Sequence, residues 1–105
     1  LRNEWGFKGY IVSDCWAIMD FYTTHKVDKT APQAAARALL AGTDLNCGVT
    51  YDSLGVAVRQ HLVSESLVDT AVRRLFRARF KLGMFDPPEM VTYASIPISV
   101  NDSAS

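Results

Sequence analysis

Asp14 is the residue of this chain best placed to do chemistry. It follows the apolar run Tyr10–Val12 and Ser13. A β-branched apolar run of this length is typical of a strand buried on both faces of a parallel sheet. A carboxylate at the carboxyl end of such a strand lies where α/β barrels place catalytic groups, so we predict that Asp14 is catalytic. The alternative is an aspartate that caps the helix predicted after it.

Cys15 and Cys47, the two cysteines of the chain, stand at or just past the carboxyl ends of two predicted strands. Adjacent parallel strands lie ~4.8 Å apart, a separation that a disulfide tolerates. We therefore expect a disulfide here if the protein is exported; the alternative is a pair of small buried thiols. The sequence shows no metal site, phosphate loop or cofactor motif, and we expect no cofactor.

A βαβ unit must position these residues. Its predicted elements are a helix end at Leu1–Trp5, a strand at Lys8–Asp14, a short helix at Trp16–Tyr22, a helix at Ala31–Ala41 and a strand at Thr43–Asn46. Gly6 and Gly42 end the helices that precede them. Thr30 and Gln33 predict a capping box, with Pro32 in the first turn. A strand, a crossover helix and a second strand in this order predict parallel strands and a right-handed crossover.

Two further helices are predicted at Tyr51–Leu62 and from Ser64 or Ser66 to about Leu82, where Gly83 ends the second. The apolar stripe of the second helix comprises Val68, Ala71, Val72, Leu75, Ala78 and Leu82. The arginines and Lys81 of this helix predict a solvated outer face. Asp69 lies four residues before Arg73, a spacing that supports an exposed helix face. From Met84 onward the prolines and the lack of periodicity favour an extended linker.

The composition excludes several function classes. The chain has 105 residues, 49% of them hydrophobic and 21% charged, with a formal net charge of zero. This balance argues against a general nucleic-acid binder. No apolar run approaches the roughly 20 residues of a membrane span, so neither nucleic acid nor membrane is an expected partner. Two parallel strands with helices on one side leave a sheet face uncovered, so the chain is predicted to be a slice of a larger barrel.

Four segments resemble glycoside hydrolase family 3 in the right order: Leu1–Asp14, Ala41–Gly48, Ala71–Leu75 and Arg79–Pro87. The resemblance implies an α/β fold: a fragment of a (β/α)8 TIM-type barrel, comprising its last two strand–helix units, plus the start of an interdomain linker. Residues 1–83 would be the C-terminal portion of the barrel domain, and residues 84–105 the linker toward an α/β sandwich domain outside this chain.

The resemblance also implies site residues. The family's nucleophile falls on Asp14, while its acid/base glutamate and an upstream Lys-His pair lie outside this chain. Glu4, Glu65 and Glu89 are not convincing substitutes for that glutamate because of their places at helix ends and in the linker.

Cysteine after the nucleophile resembles the β-xylosidase branch more than the glucosidases, many of which have tryptophan there. A Cys15–Cys47 disulfide at the pocket floor would fill the space that a hexose needs for its hydroxymethyl group. Trp16, with Tyr22, would contact the sugar on the leaving-group side, or else pack a surface helix. His25, in the loop that holds Trp16, is expected to be solvated, and the alternative is a place at the pocket entrance. His61 ends a helix and is expected to be structural. Asp44 is expected to hydrogen-bond within the barrel top, and the alternative is contact with the sugar.

The expected activity is that of a retaining exo-β-glycosidase acting on β-linked xylo-oligosaccharides, with β-glucosidase as the alternative. A second alternative is that the chain by itself is an inactive fragment or a helical interaction piece. Trp5 and Phe7, before the first strand, are expected in the core at the bottom of the barrel. A secreted or periplasmic location is an expectation from the substrate class alone.

Overall fold

The computed structural model describes residues 1–102, which are mostly helical. The α-helices are α1 (Ala17–Thr23), α2 (Ala31–Leu40), α3 (Leu54–Arg59) and α4 (Glu65–Lys81). Three 3₁₀ helices lie at Thr50–Ser53, Pro88–Met90 and Ile98–Asp102. No helix in this part of the chain is long and apolar enough to cross a membrane.

The two predicted strands meet in a single parallel bridge between Val12 and Leu45. The carbonyl of Ile11 accepts hydrogen bonds from the amides of Asp44 (2.8 Å) and Leu45 (3.1 Å), and the Ser13 amide donates to the Leu45 carbonyl (2.9 Å). The parallel pairing is therefore confirmed, but strands of the predicted length are not. Val12 is 50% exposed and Leu45 42% exposed, so nothing in residues 1–102 covers them as the inner strands of a sheet are covered.

Helix α2 is the centre of the packing. On one side its Ala34 and Ala38 pack against Ile18 of α1, with Phe21, Tyr22 and Tyr51 around them. On the other side Ala36 and Leu39 pack with Ala57, Val63 and Ala71. Alanine on both sides of the helix lets the neighbouring elements approach closely, which is how a ten-residue helix can serve two small cores.

The start of α2 differs in detail from the predicted capping box. Thr30 is the N-cap residue, but its side chain makes no capping hydrogen bond. Gln33 reaches back one residue further than predicted and accepts from the Lys29 amide at 3.0 Å. Pro32 lies in the first turn, as predicted.

Helices α2, α3 and α4 end in the same way, with a left-handed residue and two backbone hydrogen bonds that form a Schellman motif. Gly42 and Gly83, predicted to end helices, have φ of 103° and 68°. At the end of α3 the same position is His61, with φ of 57°. The predicted helix at Tyr51–Leu62 is therefore shorter than expected: a 3₁₀ turn at its start, then α3 from Leu54 to Arg59.

Helix α4 agrees with the predicted bounds, but its apolar stripe is only partly covered. Ala71 is buried, whereas Val72 is 43% and Leu82 68% exposed. The chain after α4 does not run straight on as an extended linker. It turns back so that the Phe85 ring stacks on Phe76 at 5.9 Å and meets Phe80 at 4.7 Å between ring centroids.

A buried carboxylate joins three segments that are distant in sequence. The Asp44 side chain is 1% exposed and accepts hydrogen bonds from Arg2, from Arg74 at 3.0 Å and from the Ile11 amide at 2.9 Å. Asp44 is thus bonded within the fold, as predicted, and Arg74 is not part of a solvated basic face. The nearby Tyr51 hydroxyl donates to the Thr43 carbonyl, and burial together with the Asp44 charge raises the pKa of Tyr51.

The expected core position of two aromatic side chains is wrong. Trp5 is 80% exposed and Phe7 40% exposed. Trp5 lies in the turns of residues 2–5, which replace the predicted helix end, and the Arg2 guanidinium lies 5.9 Å from the Phe7 ring centroid.

Candidate functional site

Asp14 lies at the start of a tight turn directly after the strand bridge. The Asp14 carbonyl accepts from the Ala17 amide at 3.3 Å, so that residues 14–17 form a turn that leads into α1. The carboxylate is exposed, and its Oδ1 accepts from the Cys15 amide at 2.9 Å. The N-cap residue of α1 is Trp16, and it makes no side-chain capping bond, so the alternative of Asp14 as a helix cap is wrong.

The disulfide between Cys15 and Cys47 is present, with a Cα–Cα distance of 4.4 Å. This confirms the pairing that the neighbouring strand ends predict. It ties the residue after Asp14 to the end of the second strand, so the turn that carries the carboxylate is covalently fixed to its neighbour.

Backbone and hydroxyl contacts hold the same two segments together beside the disulfide. The Trp16 amide donates to the Cys47 carbonyl at 2.7 Å. The Ser13 hydroxyl accepts from the Cys47 amide at 3.0 Å and from the Asn46 side-chain amide at 3.3 Å. Asn46 in turn accepts from the Tyr51 amide at 3.2 Å. Asp14 is therefore flanked on both sides in sequence by residues bonded to segment 46–47.

Sequence reasoning missed Ser13, Asn46 and Gly48. The sequence did contain a signal for the contact between Ser13 and Asn46. When Val12 pairs with Leu45, the next residue of each strand is polar: Ser13 in the first strand and Asn46 in the second. Facing polar side chains at parallel strand ends favour a hydrogen bond between strands.

Trp16 has an unusual backbone conformation, with φ of 67° and ψ of −9°. These are the dihedrals of the third residue of a type II turn, a position that glycine usually occupies. The residue is 53% exposed. Next to it, Gly48 has φ of 140°, and a Cβ at Gly48 would lie 3.3 Å from Cε3 of the Trp16 ring.

The other polar and aromatic candidates lie in structural surroundings. Tyr22 packs on the Ile18 cluster of α1 and α2. His25 is exposed, and its amide donates to the Asp20 carbonyl at 2.8 Å. His61 is the exposed left-handed residue after α3. Residues 1–102 contain no group of three or more His, Cys, Asp or Glu side chains that could hold a metal ion.

The sequence model described as "Glycosyl hydrolase family 3 N terminal domain" matches residues 1–78. The match assigns this part of the chain to the N-terminal domain of the family. It does not support the expected placement in the C-terminal part of a barrel.

Curated relatives with similar sequences are xylosidases by name. A xylan 1,4-beta-xylosidase of Xylanibacter ruminicola is 48% identical over 101 residues, which is 94% of this chain and 12% of that protein. A probable exo-1,4-beta-xylosidase of Aspergillus clavatus is 45% identical over 91% of this chain and 13% of its own. A probable beta-D-xylosidase of Arabidopsis thaliana is 45% identical over 81% of this chain and 11% of its own. The chain thus spans only about an eighth of the length of these relatives.

Two solved structures have a similar fold. A family 3 exo-beta-xylosidase in complex with a xylobiose aziridine activity-based probe matches 89% of this chain and 12% of its own, with a TM-score of 0.81 and 33% identity. A beta-glucosidase from Erythrobacter marinus matches 96% of this chain and 14% of its own, with a TM-score of 0.77 and 32% identity. With the family match over residues 1–78, the chain belongs to glycosyl hydrolase family 3.

Proposed function

We propose that the protein carrying this chain is a retaining exo-β-glycosidase that releases terminal β-D-xylosyl residues, with Asp14 as its nucleophile. The observation that carries the proposal is an exposed carboxylate on a turn fixed by a disulfide and by hydrogen bonds at the end of a parallel strand pair. The names of the similar proteins support xylosyl substrates.

The chemistry needs two carboxyl groups about 5–5.5 Å apart. An oxygen of ionised Asp14 attacks the anomeric carbon while the glycosidic C–O bond breaks, and a protonated carboxylic acid gives its proton to the leaving oxygen. The resulting glycosyl-Asp14 ester is hydrolysed by a water that the same acid, now a carboxylate, deprotonates. This second group comes from outside the chain. Asp14 suits the first role because its short side chain is on a turn that cannot shift without breaking several bonds.

The fold proposed for the domain that contains this chain is a (β/α)8 barrel. Val12 and Leu45 mark neighbouring strands of a (β/α)8 barrel, and their half-exposed side chains face positions that other strands would fill. Residues 1–83 would form part of this domain, and residues 84–105 would lead toward a sandwich domain that supplies the acid/base.

The proposed preference for xylose follows from the place of the disulfide. Sulfur atoms beside Asp14 would occupy the space that the hydroxymethyl group of a hexose needs, whereas a pentose lacks this group. The alternative substrate is a β-glucoside, which the similarity to a beta-glucosidase structure favours.

The test is the full-length enzyme on aryl β-xyloside and aryl β-glucoside, each beside its Asp14→Ala variant. We expect the variant to lose turnover by several orders of magnitude. Because the cavity left by the carboxylate can admit azide, added azide should restore turnover and give a glycosyl azide of inverted configuration. The matched control is Asp69→Ala, which removes an exposed aspartate of α4 and should keep full activity.

Each result has a definite meaning. Xyloside preference that is lost in Asp14→Ala and rescued by azide supports both parts of the proposal. Glucoside preference with the same loss keeps the nucleophile and rejects xylose. Turnover that survives Asp14→Ala rejects the nucleophile.

A further inference from the structure

Trp16 is held in a conformation that an L-residue ordinarily avoids. A left-handed backbone brings the Cβ of an L-residue too close to the following carbonyl oxygen. The φ of 67° lies two residues after the proposed nucleophile, in the turn that connects Asp14 to α1. Strain of this kind persists where surrounding bonds enforce it, and it concentrates at functional sites.

Segment 47–48 supplies the bonds that enforce it. The Cys15–Cys47 disulfide fixes the residue before Trp16. The Trp16 amide donates to the Cys47 carbonyl at 2.7 Å. The third restraint is contact between the two segments. A Cβ built on Gly48 would lie 3.3 Å from the Trp16 ring and 3.6 Å from the Trp16 amide nitrogen, so Trp16 takes up the space that a side chain at position 48 would need.

The two residues that follow Asp14 therefore have different freedom to meet a ligand. Cys15 is committed to its disulfide. The Trp16 ring lies 3.3 Å from the position of a Cβ on Gly48, and the residue is 53% exposed. An indole held in this way offers a flat apolar surface to the C–H face of a sugar ring, at little further entropic cost because its position is already fixed.

We propose that Gly48 is a positioning residue for Trp16, and that by lacking a side chain it lets the indole form the platform for the leaving-group sugar of a disaccharide or longer substrate. This inference rests on the proposed function. Beyond the proposed function, Gly48 is given a role in discriminating between substrates, although it makes no contact with the nucleophile. A Cβ at Gly48 would lie 3.3 Å from Cε3 of the ring, so the ring would have to shift by a few tenths of an ångström, and its stacking on the leaving-group sugar would be weakened.

The experiment compares xylobiose with an aryl β-xyloside in the full-length enzyme and in its Gly48→Ala variant. Xylobiose presents a sugar to the platform, whereas an activated aryl leaving group depends on it less. We expect kcat/KM for xylobiose to fall about tenfold, mainly through KM, and kcat/KM for the aryl xyloside to fall less than threefold.

A first control tests a glycine with a positive φ at which a side chain has room. Gly6 also has a left-handed backbone, with φ of 64°, but a Cβ there would meet nothing within 4 Å. Gly6→Ala should therefore leave the ratio of the two substrates unchanged. A second control is the Trp16→Ala background, in which Gly48→Ala should change the xylobiose KM no further because the ring is already absent.

Three outcomes would overturn the proposal: equal losses on both substrates, the same change in ratio from Gly6→Ala, or a full Gly48→Ala effect that remains in the Trp16→Ala background. If Gly48→Ala does not fold because its φ of 140° strains any side chain, Trp16→Ala alone is used: it should raise the xylobiose KM with little change for the aryl xyloside, and equal losses on both substrates count against the proposal. No turnover of either substrate by the unsubstituted enzyme rejects the proposed function, and this inference with it.

Discussion

Asp28 and Arg37 form a two-point contact between the loop after α1 and the exposed side of α2. Arg37 donates from Nε and Nη2 to the two oxygens of Asp28, each at 2.8 Å. The hydrogen bonds from Arg37, opposed in part by burial, lower the pKa of Asp28. A two-point guanidinium–carboxylate pair has a defined geometry, which makes it more than a chance surface contact.

The pH dependence of this contact follows from the direction of the shift. A carboxyl whose pKa is lower in the folded state stabilises the fold above its unfolded pKa, about 3.9 for Asp, and loses that contribution as pH falls through the folded value. We expect Asp28→Asn to lower the thermal unfolding midpoint at pH 7. Below about pH 4 the midpoints of the variant and of the unsubstituted protein should lie closer together. A difference that stays constant from pH 7 to pH 3 would contradict this.

The disulfide beside Asp14 carries a prediction about substrate selectivity. Replacing both Cys15 and Cys47 by alanine removes the sulfur atoms from the proposed pocket floor. One methylene-sized difference in such a pocket is worth roughly 10–200-fold in discrimination. We expect the ratio of aryl xyloside to aryl glucoside kcat/KM to fall about tenfold or more. If the double variant keeps its activity and this ratio is unchanged, the disulfide does not set the preference for xylose over glucose.

At the scale of the elements, the ends of the helices are the features that the sequence predicts best. Gly42 and Gly83 mark helix ends because a residue without a Cβ adopts the left-handed conformation at little cost. His61 adopts the same conformation without this advantage, and no residue type signals it. The predicted helix therefore runs past its real end at Arg59.

His61→Gly should raise the stability of the protein by about 1 kcal/mol, because it relieves a left-handed backbone at a position where the two Schellman hydrogen bonds already exist. The opposite change is Gly83→Ala, which should lower stability, since its Cβ would lie 2.9 Å from Cγ2 of Val91. Thermal unfolding midpoints measure both. A lower midpoint for His61→Gly would show that the histidine side chain contributes more than its backbone costs.

The strands are the elements whose length the local sequence pattern does not predict correctly. Tyr10–Val12 has the composition of a buried strand, yet the structure gives it one bridge. A strand is a property of its partners as well as of its own side chains, and residues 1–102 bring Val12 only Leu45. The position of Asp14 and the pairing of the cysteines follow from the order of these strand ends. The Ser13–Asn46 hydrogen bond and the Trp16–Gly48 contact depend on register and backbone dihedrals, which no composition rule gives.

Across the whole molecule, Asp44 connects the N-terminal turn, the first strand and α4 through Arg2, Ile11 and Arg74. Its side chain is 1% exposed, and those of Arg2 and Arg74 are 19% and 29% exposed. Removing one member of a buried ion pair leaves the others without compensation, at a typical cost of 3–5 kcal/mol.

Asp44→Asn should therefore lower the free energy of unfolding by about 3 kcal/mol, measured by denaturant titration. The control Asp69→Asn changes an exposed aspartate on α4 and should stay within about 0.5 kcal/mol of the unsubstituted protein. Equal effects of the two substitutions would mean that the buried carboxylate is no more important than a surface charge.

The cross-link between positions 15 and 47 also makes the intervening chain a closed covalent ring, with 32 residues of sequence separation and with α1 and α2 inside it. The exposed stretch 23–27 lies on this ring and includes Lys26, a site that trypsin can reach. A cut after Lys26 would leave both pieces attached to each other, with Asp14 still joined to its partner segment. The nicked protein should migrate as one species on a denaturing gel and separate into two only after a reductant is added.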